Sequence, residues 1–109
     1  MITETNQSIS LGEACSLAVD REELVKDGLA MALSRTQFRL LYCLALRMGE
    51  PVATNQLIEF TWGNSSFVSK NELYVYINRL RNRIEDDPKQ AKCLLSIRGL
   101  GYVLYPRQK

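Results

Sequence analysis

The stretch Ser69-Lys70-Asn71-Glu72-Leu73-Tyr74-Val75-Tyr76-Ile77-Asn78-Arg79-Leu80-Arg81-Asn82-Arg83-Ile84-Glu85-Asp86-Asp87, followed by Pro88, decides how the rest of the chain is read. It predicts one helix. Ser69 and Glu72 have the spacing of a capping box, in which the hydroxyl accepts an orphan backbone N–H and the carboxylate reaches back to the cap; Pro88 is a stop signal. At about 100° per residue, Leu73, Ile77, Leu80 and Ile84 form one narrow apolar stripe with Tyr76 beside it, which is the face a core requires. Opposite lie Asn71, Val75, Asn78, Arg79 and Asn82, flanked by Glu72 and Arg83 on one edge and by Tyr74 and Arg81 on the other. A merely solvated face favours Glu and Lys. Amides, an arginine and an outward valine are instead the groups that meet base edges in a major groove: amides pair with adenine, Arg with guanine, and an apolar side chain with the thymine methyl. Periodicity alone leaves both an ordinary exposed face and a base-reading face open.

Bulk properties narrow the classes. The 109 residues, 46% hydrophobic and 24% charged, suit one globular domain with a single core. No apolar run approaches the ~20 residues of a membrane span, and the polar start has no signal-peptide pattern, so a soluble, cytoplasmic protein without membrane contact is expected. Cys15, Cys43 and Cys93 have no short C-x-x-C spacing, which points to buried small hydrophobes rather than to a disulfide framework or a zinc site. Without histidine the commonest general base and zinc ligand are both missing. No nucleophile–base pair is visible, and Gly99-Leu100-Gly101 is too short for a nucleotide fingerprint. Neither enzymatic activity nor a cofactor, metal or small-molecule substrate is expected. The net charge of +2 divides unevenly: residues 1–68 hold five basic and eight acidic side chains, and residues 69–109 hold nine basic and four acidic. A polyanion met by the C-terminal portion only fits that division.

Outward from the central helix, the flanking segments complete a pattern. Residues 1–6 read as a loose tail or linker remnant, and residues 7–107 as a single domain. From Gln7 to Leu33, short alternating runs predict a small antiparallel sheet of up to four strands, with turns at Gly12-Glu13 and Asp27-Gly28. Ser34 with Gln37 caps a first helix expected to run to Met48, burying Phe38, Leu41, Tyr42, Ala45 and Met48. Thr54 is expected to cap a second helix carrying Leu57, Ile58, Phe60 and Trp62, ended by Gly63, with Trp62 packed where the second and third helices meet. Two helices joined by residues 63–68, the second with a polar outer face, have the helix-turn-helix pattern. After a polar link, Leu94 to Tyr105 predicts a β-hairpin with Arg98-Gly99-Leu100-Gly101 at its tip, a wing whose arginine suits a minor groove. The fold class is therefore α+β: a winged helix-turn-helix with an N-terminal antiparallel sheet, three helices and a C-terminal hairpin wing.

The segments Leu33 to Leu41, Gln56-Leu57 leading to Thr61-Trp62-Gly63, Val75 to Ile84, and Ile97-Arg98-Gly99-Leu100-Gly101-Tyr102 together resemble the winged-helix effector domain of OmpR/PhoB-type bacterial response regulators. The resemblance covers about residues 8 to 105. Its most specific parts are the Ile-x-Arg-Leu-Arg-x-Arg helix and the Arg-Gly-x-Gly-Tyr wing, in that order and separation. It implies sequence-specific binding of double-stranded DNA in transcription regulation within a two-component system, often as head-to-tail homodimers on direct repeats. Val75 and Arg79 would read bases, with Asn71, Glu72, Asn78 and Asn82 also on the groove face. Tyr76 and Arg81 would meet phosphates, Arg98 the minor groove, and Ser96 and Tyr102 the backbone near the wing. Asn64, Ser65, Ser66 and Phe67 match a loop that can touch RNA polymerase. The start of the central helix departs from the family's usual Arg-Thr-Val-Asp-Val-His, reading Asn71-Glu72-Leu73-Tyr74-Val75-Tyr76, which implies a different operator or weaker affinity. With no phosphoacceptor region ahead of it, the chain is expected to be an effector domain of a longer regulator; a single-domain regulator is the other possibility. A winged-helix protein-interaction module is the alternative function.

Overall fold

Alternation of apolar and small polar residues folds the start of the chain into an antiparallel meander of β1 (Ser8–Ser10), β2 (Cys15–Ala18), β3 (Glu23–Lys26) and β4 (Leu29–Ala32). The computed structural model describes residues 7–64 and 67–108, so the expected tail at residues 1–6 lies outside the described residues. Register places Ile9 beside Leu17, Leu17 beside Leu24 and Leu24 beside Met31. That row faces the core, as a period of two demands. Asp27 and Gly28 both have positive φ, 52° and 82°, which is what a two-residue hairpin in a right-twisted sheet needs.

Helix α1 (Arg35–Leu46) starts as expected: the Ser34 hydroxyl accepts from the Gln37 N–H at 3.1 Å, and the Gln37 side chain accepts from the Ser34 N–H at 3.0 Å. It ends at Leu46, short of the expected Met48. Its buried face takes in Leu40 beyond the expected set, because α1 packs against other elements on several sides, while Tyr42 and Met48 are half-buried. Helix α2 is Thr54–Trp62, capped at its end by Gly63 with φ 101°. Thr54 is not its cap but its first helical residue. The N-cap is Ala53, whose N–H donates to the Gln56 side chain at 3.4 Å. Arg39 of α1 donates to the carbonyls of Thr61 at 3.2 Å and Phe60 at 3.0 Å, satisfying last-turn acceptors of α2 and fixing the helix pair.

Helix α3 (Lys70–Ile84) buries Leu73, Ile77, Leu80 and Ile84, the stripe read from the sequence. Each such burial contributes on the order of 1.5–3 kcal/mol. The helix stops at Ile84 rather than Asp87. Glu85 turns extended and sends its carboxylate inward, where it accepts from the backbone N–H groups of Lys92, Cys93 and Leu94 at 2.7–3.1 Å. Pro88 then opens a short 3₁₀ turn, Pro88–Gln90, within the stretch expected to be a plain link.

The hairpin of β6 (Leu94–Ile97) and β7 (Gly101–Leu104) forms as expected but gains a third strand, β5 (Val52–Ala53), giving the order β5-β7-β6. Two residues are too short a run to announce a strand. Gly101 permits the pairing, since a Cβ there would lie 2.0 Å from the Val52 carbonyl oxygen. Cys15, Cys43 and Cys93 are free and buried, as their spacing suggested. Burial pushes all three thiols up, Cys93 to about 11, with Glu85 adding to the effect there.

Candidate nucleic-acid interface

The N-terminus of α3 is set by its capping box: the Glu72 N–H donates to the Ser69 hydroxyl at 3.1 Å and the Ser69 N–H to the Glu72 carboxylate at 3.4 Å. The carboxylate is thereby turned back to the helix start. Asn71, Val75, Arg79 and Asn82 are exposed on the outer face, and Val75 keeps 45% of its surface open although it is apolar.

An aromatic stack places Arg79. Trp62, at the end of α2, meets Tyr76 edge-on with ring centroids 5.3 Å apart, and the Arg79 guanidinium lies over the Tyr76 ring at 5.0 Å. Trp62 packs at the junction of α2 and α3, as expected. The stack holds the cation from below without using its N–H groups, and among the described residues Arg79 makes no hydrogen bond. Its donors face outward.

Arg81 faces sideways instead. Its Nε donates to the Leu94 carbonyl at 2.9 Å, Nη1 to Asn78 Oδ1 at 3.1 Å and Nη2 to Ser96 Oγ at 3.1 Å, tying helix to wing. Tyr102 pairs with Ser96 across the hairpin and is half-buried; burial pushes its phenol up, with the Arg81 charge opposing. At the hairpin turn Arg98 is exposed, and Gly99 has φ 77°. The turn is anchored to α2, for the Leu100 carbonyl accepts from the Thr54 N–H at 3.0 Å and the Thr54 hydroxyl at 3.3 Å. An open cleft of about 470 Å³ lies between the wing and the helix starts, lined among others by Thr54, Asn55, Lys70, Ser96 and Tyr102.

The structure thus brings Arg81 and Asn78 of α3 beside Ser96 of the wing, with Lys70 and Tyr102 lining the same cleft as Ser96, and leaves Arg98 exposed at the turn. The loop residues stand apart. Asn64 is exposed and Phe67 is 99% exposed, while Ser65 and Ser66 lie outside the described residues. Sequence reasoning missed Arg107, which is buried. Its guanidinium bridges Asp27 at 2.8 and 3.0 Å and Asp86 at 2.6 Å, joining the first sheet to the end of α3. These partners lie too far apart in sequence for any spacing to reveal them.

The family described as "Transcriptional regulatory protein, C terminal" matches residues 28–104. The chain belongs to that family. KdpE, a transcriptional regulatory protein of Mycobacterium tuberculosis, is 30% identical over 99 residues, covering 91% of this chain and 44% of KdpE. The DNA binding domain of CpxR from E. coli is 26% identical with a TM-score of 0.77, covering 92% of this chain and 97% of that domain. The response regulator DrrB, an OmpR/PhoB homologue of Thermotoga maritima, is 26% identical with a TM-score of 0.80, covering 90% of this chain and 44% of DrrB. The chain spans less than half the length of KdpE and DrrB, and its fold is the family's winged helix.

Proposed function

We propose that this chain is the DNA-binding part of a transcription regulator: a non-enzymatic module, working in the cytoplasm, that reads double-stranded DNA with α3 in the major groove and the wing at the minor groove. The observation that carries this reading is the outer face of α3, where Arg79 stands outward on an aromatic stack beside exposed amides and Val75. A 15-residue helix with such a face suits a groove about 12 Å wide. Arg98 at the exposed turn reaches toward the flanking minor groove. Lys70 and the α2 start line the cleft where a phosphate would pass, and N–H groups at helix starts favour anions. Tyr76, Ser96 and Tyr102 border the same path; Arg81 serves it by holding the wing. The likeness to the DNA binding domain of CpxR supports the same use. RNA polymerase contact through Asn64 to Phe67 and head-to-tail pairing on direct repeats are further parts of the proposal.

The test is selection from a random duplex library at two salt concentrations. An enriched motif whose binding falls steeply with salt is expected, because phosphate contacts release counterions. Negligible duplex binding at low salt would overturn the reading in favour of a protein-interaction module.

A further inference from the structure

Asn78 lies on the groove side of α3, between the outermost line of the helix and the edge occupied by Arg81. An unconstrained Asn amide pairs bidentate with adenine, accepting from N6 and donating to N7. Here the amide is not unconstrained. Arg81 Nη1 sits 3.1 Å from Asn78 Oδ1. A guanidinium can only donate, so the atom facing it must be the oxygen, which settles an orientation that an amide's shape alone would not. Arg81 cannot readily swing away, because its other two hydrogen bonds hold the planar fork against the Leu94 carbonyl and Ser96 Oγ. The oxygen is thus engaged by Arg81, while among the described residues the amide nitrogen makes no hydrogen bond.

We propose that Asn78 reads bases through its amide nitrogen, an orientation that Arg81 enforces by engaging the oxygen, and that it prefers guanine or thymine, whose major-groove edges offer acceptors without a donor, over adenine and cytosine. Guanine fits best, since N7 and O6 can receive both amide hydrogens. Arg81 is then a positioning residue for specificity as well as the tie to the wing. This inference rests on the DNA-reading function proposed above.

The experiment is duplex selection with the whole chain and its Asn78→Ala, Asn78→Asp and Arg81→Met variants, each checked for folding by circular dichroism. The wild-type motif should contain one position enriched in guanine or thymine that becomes indifferent in Asn78→Ala. Asn78→Asp keeps the shape and the Arg81 contact but turns an acceptor outward, so that position should shift to cytosine. Arg81→Met releases the amide and should shift it to adenine, with a general loss of affinity; an unchanged preference in a folded Arg81→Met would remove Arg81 from the role. Adenine at the Asn78-dependent position of the wild type, or no position that depends on Asn78, would overturn the inference while leaving the DNA-reading function standing. No enriched motif for the wild type would overturn both. If Arg81→Met fails to fold, Arg81→Lys, which keeps the charge without the planar fork, is expected to relax the guanine or thymine preference, and an unchanged preference in it would remove Arg81 from the role.

Discussion

Two sides of α3 use arginine in opposite ways. On the outer side, Arg79 rests on Tyr76 and stays exposed. On the sides that meet the sheets, Arg81 is bound to β6 and Arg83 donates to the Ala32 carbonyl at 3.1 Å, and just past the helix end Asp86 is gripped by the buried Arg107. The basic excess of the C-terminal portion is therefore divided between a surface and a frame. Counting charges overstates what a nucleic acid meets, since Arg83 and Arg107 face protein and Arg81 is already engaged. The same contrast shows how a small domain would present a rigid reading face: the wing is tied to α3 through Arg81 and to α2 through Leu100, so the groups proposed to meet the two grooves share one frame.

The contrast can be broken first at the frame. Arg107→Ala removes the buried guanidinium that joins Asp27 to Asp86 and should cost clearly more in urea unfolding than the loss of an exposed ion pair. A loss under about 1 kcal/mol, the scale of an exposed ion pair, would demote Arg107 to surface decoration. On the reading face, Arg79→Ala should leave unfolding unchanged and remove about 1–3 kcal/mol of discrimination at one or two base pairs in binding-site selection. An identical selected motif would reject that role. A smaller effect is expected at the wing: Arg98→Ala should weaken binding several-fold on A·T-rich flanks and less on G·C-rich flanks, measured by titration of the two duplexes. Equal losses would count against minor-groove insertion.

The smallest effect concerns pH. Hydrogen bonding to Arg107, followed by the charges of Arg107 and Lys26, holds the Asp86 carboxyl below its ordinary value. Because the folded-state value is the lower one, this stabilisation is present above the ordinary carboxylate range and is lost as pH falls through the lowered value. Wild type and Asp86→Asn should therefore differ in stability at neutral pH and converge in strong acid. A gap independent of pH would show that the ion pair is not its source.

What was legible in the sequence was local. The α3 stripe, the Ser34 and Ser69 caps and the Asp27-Gly28 turn each depend on residues a few positions apart, and all formed as read. What was not legible depends on distant partners. Strand β5 exists only because β7 arrives beside it over a glycine, and α3 ends early only because Glu85 finds backbone N–H groups from residues 92–94. For the interface, the helical wheel placed Arg79 and Asn78 on the outer side. It could not tell that Tyr76 would carry one and Arg81 would orient the other.

The most direct test of a division between reading face and frame is amide chemical-shift mapping of the ¹⁵N-labelled chain titrated with its selected duplex. Perturbations are expected along the outer side of α3 from Asn71 to Asn82 and in the wing from Ser96 to Tyr102, with Glu85 to Asp87 and Arg107 unmoved. Perturbations centred instead on the α1–α2 surface around Arg39 and Phe60, with α3 silent, would contradict it.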